Sequence, residues 1–322
     1  MLSENNGSLL NDNQQTQDFA ESHGLVPMNF DQLLGDQSID YVLNLTPAHE
    51  HGTISKQILE ARKSVYSEKP LAATLEEADE LIALASERHL LLACAPATFL
   101  WPPLTTARKL IAQDQLGKVV GAFTSLVYPG PELFHPHPEH LYMATAGPLR
   151  DMGIYQVTAL MALLGPIVSV SAMASRAFDR RTVLVGPAAG VNFPVGAQTH
   201  VHALLSHAGG AISTVIVSFD AHGAGVPRFE VFGQKAALSI NNMHLPNAMV
   251  ELRTLGEIEL IETDQVEISP AVLSIGPTSA WRDYMRGVEP ETSACRMRGV
   301  LEVLLAIEHA FAQGTVVDIY LG

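Results

Sequence analysis

Short apolar runs alternate with helix-periodic stretches through the first hundred residues. Ile39-Asp40-Tyr41-Val42-Leu43-Asn44-Leu45 predicts a compact strand closed by Thr46-Pro47. Ser64-Val65-Tyr66-Ser67 and Leu90-Leu91-Leu92-Ala93-Cys94 predict two more. Between them, Glu50 to Ala61 has helical spacing, and Thr74, with Glu77 three places on, caps a helix to about Arg88. Gln14 to His23 predicts a helix stopped by Gly24, and Phe30 to Leu34 a short helical turn. Strand and helix in alternation predict a parallel α/β sheet.

From about Trp101 the pattern changes. Pro103 to Gln113 predicts a helix. Val119 to Tyr128, Val168 to Phe178, His200 to Ser206, Ala211 to Asp220, Arg228 to Phe232 and Met249 to Leu252 predict strands. His207-Ala208-Gly209-Gly210 reads as a hairpin turn. Helices are predicted at Gly153 to Leu164 and Ala294 to Phe311. The expected organisation is an α/β lobe over residues 1–100 and an α+β lobe over 101–322, the second with a large, mostly antiparallel open sheet.

Composition narrows the function classes. The chain has 322 residues, 47% hydrophobic and 16% charged, enough apolar surface for one large core or two smaller ones. A formal charge of −15 repels phosphate backbones and anionic lipid, which argues against nucleic-acid and membrane-surface partners. Two cysteines, Cys94 and Cys295, build neither a disulfide framework nor a four-thiolate zinc site, so a reducing, cytoplasmic compartment is expected. The polar start, Met1 to Gln17, lacks a signal-peptide pattern. The apolar run Gly153 to Met173 is broken at Gly165-Pro166, which favours helix, turn and strand over a membrane span.

Three clusters carry candidate chemistry. Tyr66-Ser67-Glu68-Lys69-Pro70 follows a predicted strand, where parallel sheets bind ligands. A lysine there can donate to a hydroxyl or carbonyl and lower the pKa of a neighbouring acid; a surface Glu-Lys pair is the alternative. In Asp151-Met152-Gly153-Ile154-Tyr155, a carboxylate at a helix start and a phenol about one turn on could share a pocket, or Asp151 could be a helix cap. A phenol, with an ordinary pKa of about 10, needs a nearby cation to act as a base near neutral pH. Phe134-His135-Pro136-His137-Pro138-Glu139-His140 reads as a substrate-contacting loop, a solvated loop or, with less support, a metal site. Thr46-Pro47-Ala48-His49-Glu50-His51 closes another strand at the same sheet edge, and Cys94 reads as a buried structural thiol.

Together these motifs resemble the Gfo/Idh/MocA oxidoreductases. The resemblance rests on Asn44-Leu45-Thr46-Pro47 with His51, Tyr66 to Leu71, Cys94 to Leu100, and Gly147-Pro148-Leu149 leading to Asp151-x-Gly153-x-Tyr155. Ser218-Phe219-Asp220 and the Arg228 to Gly233 strand continue it, over about residues 14 to 320. It implies a Rossmann domain coupled to a C-terminal α/β domain whose open sheet serves homo-oligomer contacts. It implies hydride transfer between NAD or NADP and a hydroxyl or carbonyl of a sugar, cyclitol or related polyol. By the resemblance Lys69 is the catalytic lysine, Asp151 orients the substrate and Tyr155 carries the proton. Thr46, Pro47, His51, Glu68, Lys69 and Pro70 would line the cofactor, with His135 and His137 at the sugar. No metal is implied.

The chain departs from the family in one respect. No Gly-x-Gly-x-x-Gly turn occurs in it. Aligned backward from His23-Gly24, the family's ribose-binding acid falls near Leu10 to Asp12, and about thirty residues of the Rossmann start are expected to be absent. The Rossmann sheet is therefore expected to be N-terminally incomplete, with an unpaired edge on the strand ending at Asn44. Two readings follow: a shortened active dehydrogenase, or a non-catalytic carbohydrate-binding or oligomeric scaffold that has lost dinucleotide binding.

Overall fold

A computed structural model describes residues 13–223 and 228–320. The acid position expected near Leu10 to Asp12 lies outside the described residues. In chain order the elements begin with α1 (Asn13–His23), α2 (Phe30–Gly35), β1 (Tyr41–Asn44), α3 (His51–Glu60), β2 (Ser64–Ser67), α4 (Leu75–Glu87), β3 (Leu92–Cys94) and α5 (Pro102–Ala112). Next come β4 (Val119–Val127), α6 (Ile154–Leu164), β5 (Ile167–Ser175), β6 (Arg180–Thr182), β7 (Asn192–Pro194), β8 (His200–His207) and β9 (Ile212–Ser218). The remainder are β10 (Arg228–Gly233), β11 (Ala237–Ile240), β12 (Val250–Arg253), β13 (Ile258–Ile261), α7 (Pro270–Leu273), α8 (Ile275–Met285), α9 (Ala294–Gln313) and β14 (Val317–Asp318). The chain divides into two units. The first runs to Ala97 and takes in Leu273–Leu301; the second comprises Thr98–Val272 and the chain from Glu302 on.

In the first unit, β1, β2 and β3 pair in parallel, in that order. All four residues of β2 are buried, as expected of a central parallel strand covered on both faces. Thr74 caps α4 as the sequence predicts, accepting from the Glu77 amide at 3.2 Å. Tyr66, Leu91, Ala93 and Ala95 pack with Ala280 of α8, and Tyr41 stacks on Trp281 with ring centres 4.8 Å apart. Gly276 at the start of α8 permits this approach, because a Cβ there would lie 2.2 Å from the Tyr66 hydroxyl. Among the described residues, β1 is an edge strand of this sheet.

The second unit is built on a nine-stranded sheet of order β13-β12-β11-β10-β4-β9-β8-β5-β14. Its pairs are antiparallel except β4 with β9. Period-two burial gives it two unlike faces: Val201, Ala203 and Leu205 of β8 are buried, while His202 and Leu204 are exposed. The predicted turn joins β8 to β9, with Gly210 at φ +84°. α6 is nearly all apolar, consistent with packing against β4 and β9. Among the described residues, no helix is long and apolar enough to cross a membrane.

Candidate active site

In the first unit the three parallel strands end in register. Asn44 pairs with Ser67, and Ser67 with Cys94. The turns that follow, Thr46-Pro47, Glu68-Lys69-Pro70 and Ala95-Pro96, therefore lie at one sheet edge, the edge at which open parallel sheets bind ligands. The Lys69-Pro70 and Ala95-Pro96 bonds are both cis.

His51 joins two of these turns. The ring is 1% exposed; Nδ1 lies 2.8 Å from the Pro70 carbonyl oxygen and Nε2 lies 2.7 Å from that of Thr46. A carbonyl oxygen only accepts, so each ring nitrogen can bond its carbonyl only as a donor. Asn44, fully buried, completes the arrangement. Its amide donates to the His51 carbonyl at 3.1 Å and to Ser55 Oγ at 2.9 Å, and its Oδ1 accepts from Thr46 Oγ1 at 2.8 Å. The sequence pattern contains Asn44 but carries no signal for this role. Glu68 Oε2 accepts from the Lys69 amide at 3.0 Å. Cys94 is buried, its thiol pushed well up by burial and by the Glu68 charge, with Lys69 opposing. The Ser67 hydroxyl beside it is buried without a hydrogen-bond partner.

In the second unit, Asp151 does not cap a helix. Leu149–Gly153 forms a π-helical turn that runs into α6, and Gly153 at the junction has no side-chain cap. Such turns widen the helix by one residue and re-aim the side chains around them. Arg150 in the same turn forks onto Glu308 of α9. Tyr155 meets the His244 ring edge-to-face at 5.3 Å, and burial pulls the His244 ring down to about 4. The His244 Nε2 is buried and without a hydrogen-bond partner. Tyr128, at the end of β4, has its phenol pushed up by burial and by the charges of Asp151 and Glu132.

Two ring nitrogens of the histidine loop bond within the loop. His135 Nδ1 accepts from the His137 amide at 3.0 Å, and His140 Nδ1 lies 2.7 Å from the His137 carbonyl. The His135 and His140 rings stand 5.2 Å apart. Among the described residues, no group of three or more His, Cys, Asp or Glu could hold a metal ion.

Two family models match the chain. One, described as "Oxidoreductase family, NAD-binding Rossmann fold", covers residues 6–95; the other, "GFO/IDH/MocA C-terminal domain", covers residues 104–239. The chain belongs to the Gfo/Idh/MocA oxidoreductase family. Among curated Gfo/Idh/MocA relatives, levoglucosan dehydrogenase of Pseudarthrobacter phenanthrenivorans is 24% identical over 222 residues, covering 65% of this chain and 57% of that one. The uncharacterized protein YMR315W of Saccharomyces cerevisiae is 30% identical over 159 residues, 47% of this chain and 44% of its own. The chain thus spans about half the length of these relatives. A solved levoglucosan dehydrogenase, in complex with NADH and levoglucosan, superposes with a TM-score of 0.82 at 19% identity, over 95% of this chain and 88% of that one. At that identity the likeness speaks for the Gfo/Idh/MocA fold.

Proposed function

We propose that the chain is an NAD(P)-dependent oxidoreductase acting on a hydroxyl or carbonyl of a sugar, cyclitol or related polyol. The observation that carries this reading is the in-register end of three parallel strands, with the Thr46 and Lys69 turns side by side. That edge lies in the unit matched by an NAD-binding model. The Lys69 ammonium among neutral backbone suits a nicotinamide nucleotide, while the hydroxyl and amide of Thr46 are turned inward to Asn44 Oδ1 and shape the turn. When bound, the nicotinamide supplies the two-electron acceptor or donor.

In this reading Thr46, Pro47, Glu68, Lys69 and Pro70 line the cofactor, and His51 holds the two turns rather than touching the ligand. Lys69 polarises the reacting oxygen. Asp151 orients the substrate, Tyr155 takes or returns the hydroxyl proton, and His135 and His137 contact the polyol. His244, kept neutral by burial, gives the Tyr155 phenol no cation, which leaves that role to Lys69. The levoglucosan dehydrogenase resemblance supports a polyol as the substrate class. NAD and NADP are both compatible with the residues described. The two free cysteines suit a reducing, cytoplasmic setting.

We also propose self-association through the open sheet face, where Met173, Leu204 and Ile212 are 81%, 53% and 58% exposed. Light scattering at micromolar concentration is expected to give a dimer or higher that Leu204→Glu dissociates. A monomeric wild type ends that part of the reading.

Titration with NADH and with NADPH, followed by nicotinamide fluorescence, tests the main reading. Saturable micromolar binding, then turnover on levoglucosan, sorbose, glycerol or an inositol, supports it. No binding by a folded sample favours the non-catalytic scaffold.

A further inference from the structure

The histidine loop is closed at its neck by a buried ionic cluster. Arg181, in the short ribbon of β6 and β7, reaches the loop from outside. Its Nη1 donates to Glu132 Oε1 at 2.6 Å and to the Pro129 carbonyl at 3.0 Å. Its Nη2 donates to Asp220 Oδ1 at 2.5 Å and to the Phe219 carbonyl at 2.8 Å. The three side chains are 11%, 5% and 7% exposed. The Tyr142 hydroxyl donates to the other oxygen of Glu132, so residues 132 and 142 close the loop between them. Thr199 Oγ1 donates to Asp220 Oδ2 at 2.5 Å. The neck is tight: Gly130 has φ +114°, and a Cβ there would lie 2.3 Å from Glu132 Oε2 and 2.4 Å from the Tyr142 hydroxyl. Further out, a Cβ on Gly186 would lie 2.7 Å from the Pro136 Cβ, so the β6–β7 connection rests on the residue between His135 and His137.

Burying one guanidinium with two carboxylates is a poor way to gain stability, since apolar side chains of the same volume would serve as well or better. What the planar fork does supply is direction, fixing both carboxylates and both flanking carbonyls at once. We infer that Arg181 is a positioning residue for substrate recognition, setting the loop that carries His135 and His137 against the polyol. This rests on the oxidoreductase reading above. Arg181 touches neither substrate nor cofactor in it and acts through Glu132 and Tyr142.

The test uses Arg181→Lys and Glu132→Gln in the full chain, assayed with whichever of levoglucosan, sorbose, glycerol or myo-inositol the wild type turns over fastest. A displaced loop is expected to raise KM about tenfold, leaving kcat within about threefold and the NADH Kd within about twofold. Guanidinium ion added to Arg181→Ala is expected to lower KM again. A KM within about twofold of wild type in both variants overturns the proposal. So does a joint fall of kcat and thermal midpoint that guanidinium does not rescue, the mark of a merely structural role. If the wild type turns over none of the four, the oxidoreductase reading fails separately, and hydrogen exchange decides on Arg181. Amides of residues 133–141 exchanging about tenfold faster in Arg181→Lys, with α6 unchanged, support the clamp; equal exchange removes it.

Discussion

Arg150 holds Glu308 through two parallel bonds, Nε to Oε1 and Nη2 to Oε2, each 2.7 Å. The bond from Glu308 also raises the guanidinium pKa. Arg150 precedes Asp151 within the π-helical turn, so the fork fixes the backbone from which the carboxylate projects. Lysine keeps the charge but cannot make both bonds. Arg150→Lys is expected to lose about 1 kcal/mol in urea unfolding and about tenfold in kcat, with the NADH Kd unchanged. An unaltered kcat would separate the fork from the chemistry.

His51→Leu removes the ring whose nitrogens lie 2.7 and 2.8 Å from the Thr46 and Pro70 carbonyls, and with it the polar link between the two turns. The expected cost is about 1–3 kcal/mol of stability. NADH affinity is expected to fall about tenfold as the two turns part. A fluorescence titration unchanged from wild type would mean the cofactor does not depend on this strap.

Lys69→Met and Tyr155→Phe each remove a polar group assigned to the reaction. Each is expected to cut kcat by about 100- to 10,000-fold while near-ultraviolet circular dichroism stays native. Full activity in either variant takes that residue out of the mechanism.

His244 makes stability depend on acid. Its ring titrates at about 4 in the folded chain because burial disfavours the cation, against about 6.5 when unfolded. Below 6.5 the unfolded chain binds the extra proton, so stability present above 6.5 is lost as the pH falls towards 4. The loss is on the order of 3 kcal/mol. His244→Phe is expected to flatten that part of the profile in denaturant unfolding between pH 7 and pH 4. A slope identical to wild type would assign the acid loss elsewhere.

Much of this fold is legible in local pattern. The alternation through Val201 to Leu205 has its period in the sequence, and Thr74 with Glu77 marks a helix start at close range. β6 and β7, three residues each, carry too little pattern to read, and α8 has only a narrow apolar stripe, fitted to Tyr41 and Tyr66. The π-helical turn leaves no mark in spacing, so Asp151 reads as a possible cap when it stands inside a helical run. Lys69, Asp151, Tyr155 and His51 stand out because each lies within a short motif. Glu132 and Arg181 do not, and the Ser218-Phe219-Asp220 motif gives no hint of their meeting, because long loops and strands separate charges that come together only once the second unit has folded. The two bonds that give His51 its work are invisible for the same reason: they end on backbone carbonyls, which every residue has.

The return of Leu273–Leu301 to the first unit has a consequence for synthesis. Tyr41 donates to the carbonyl of Pro277, 236 positions later, and stacks on Trp281. At about 5–20 residues per second, a ribosome reaches those partners on the order of 10–50 s after it has made β1. Throughout that interval the nascent sheet lacks the helix that covers one of its faces, so Tyr41, Tyr66 and Leu91 stay wet or in the care of a chaperone. These early-made strands are thus covered only after more than two hundred further residues have been added.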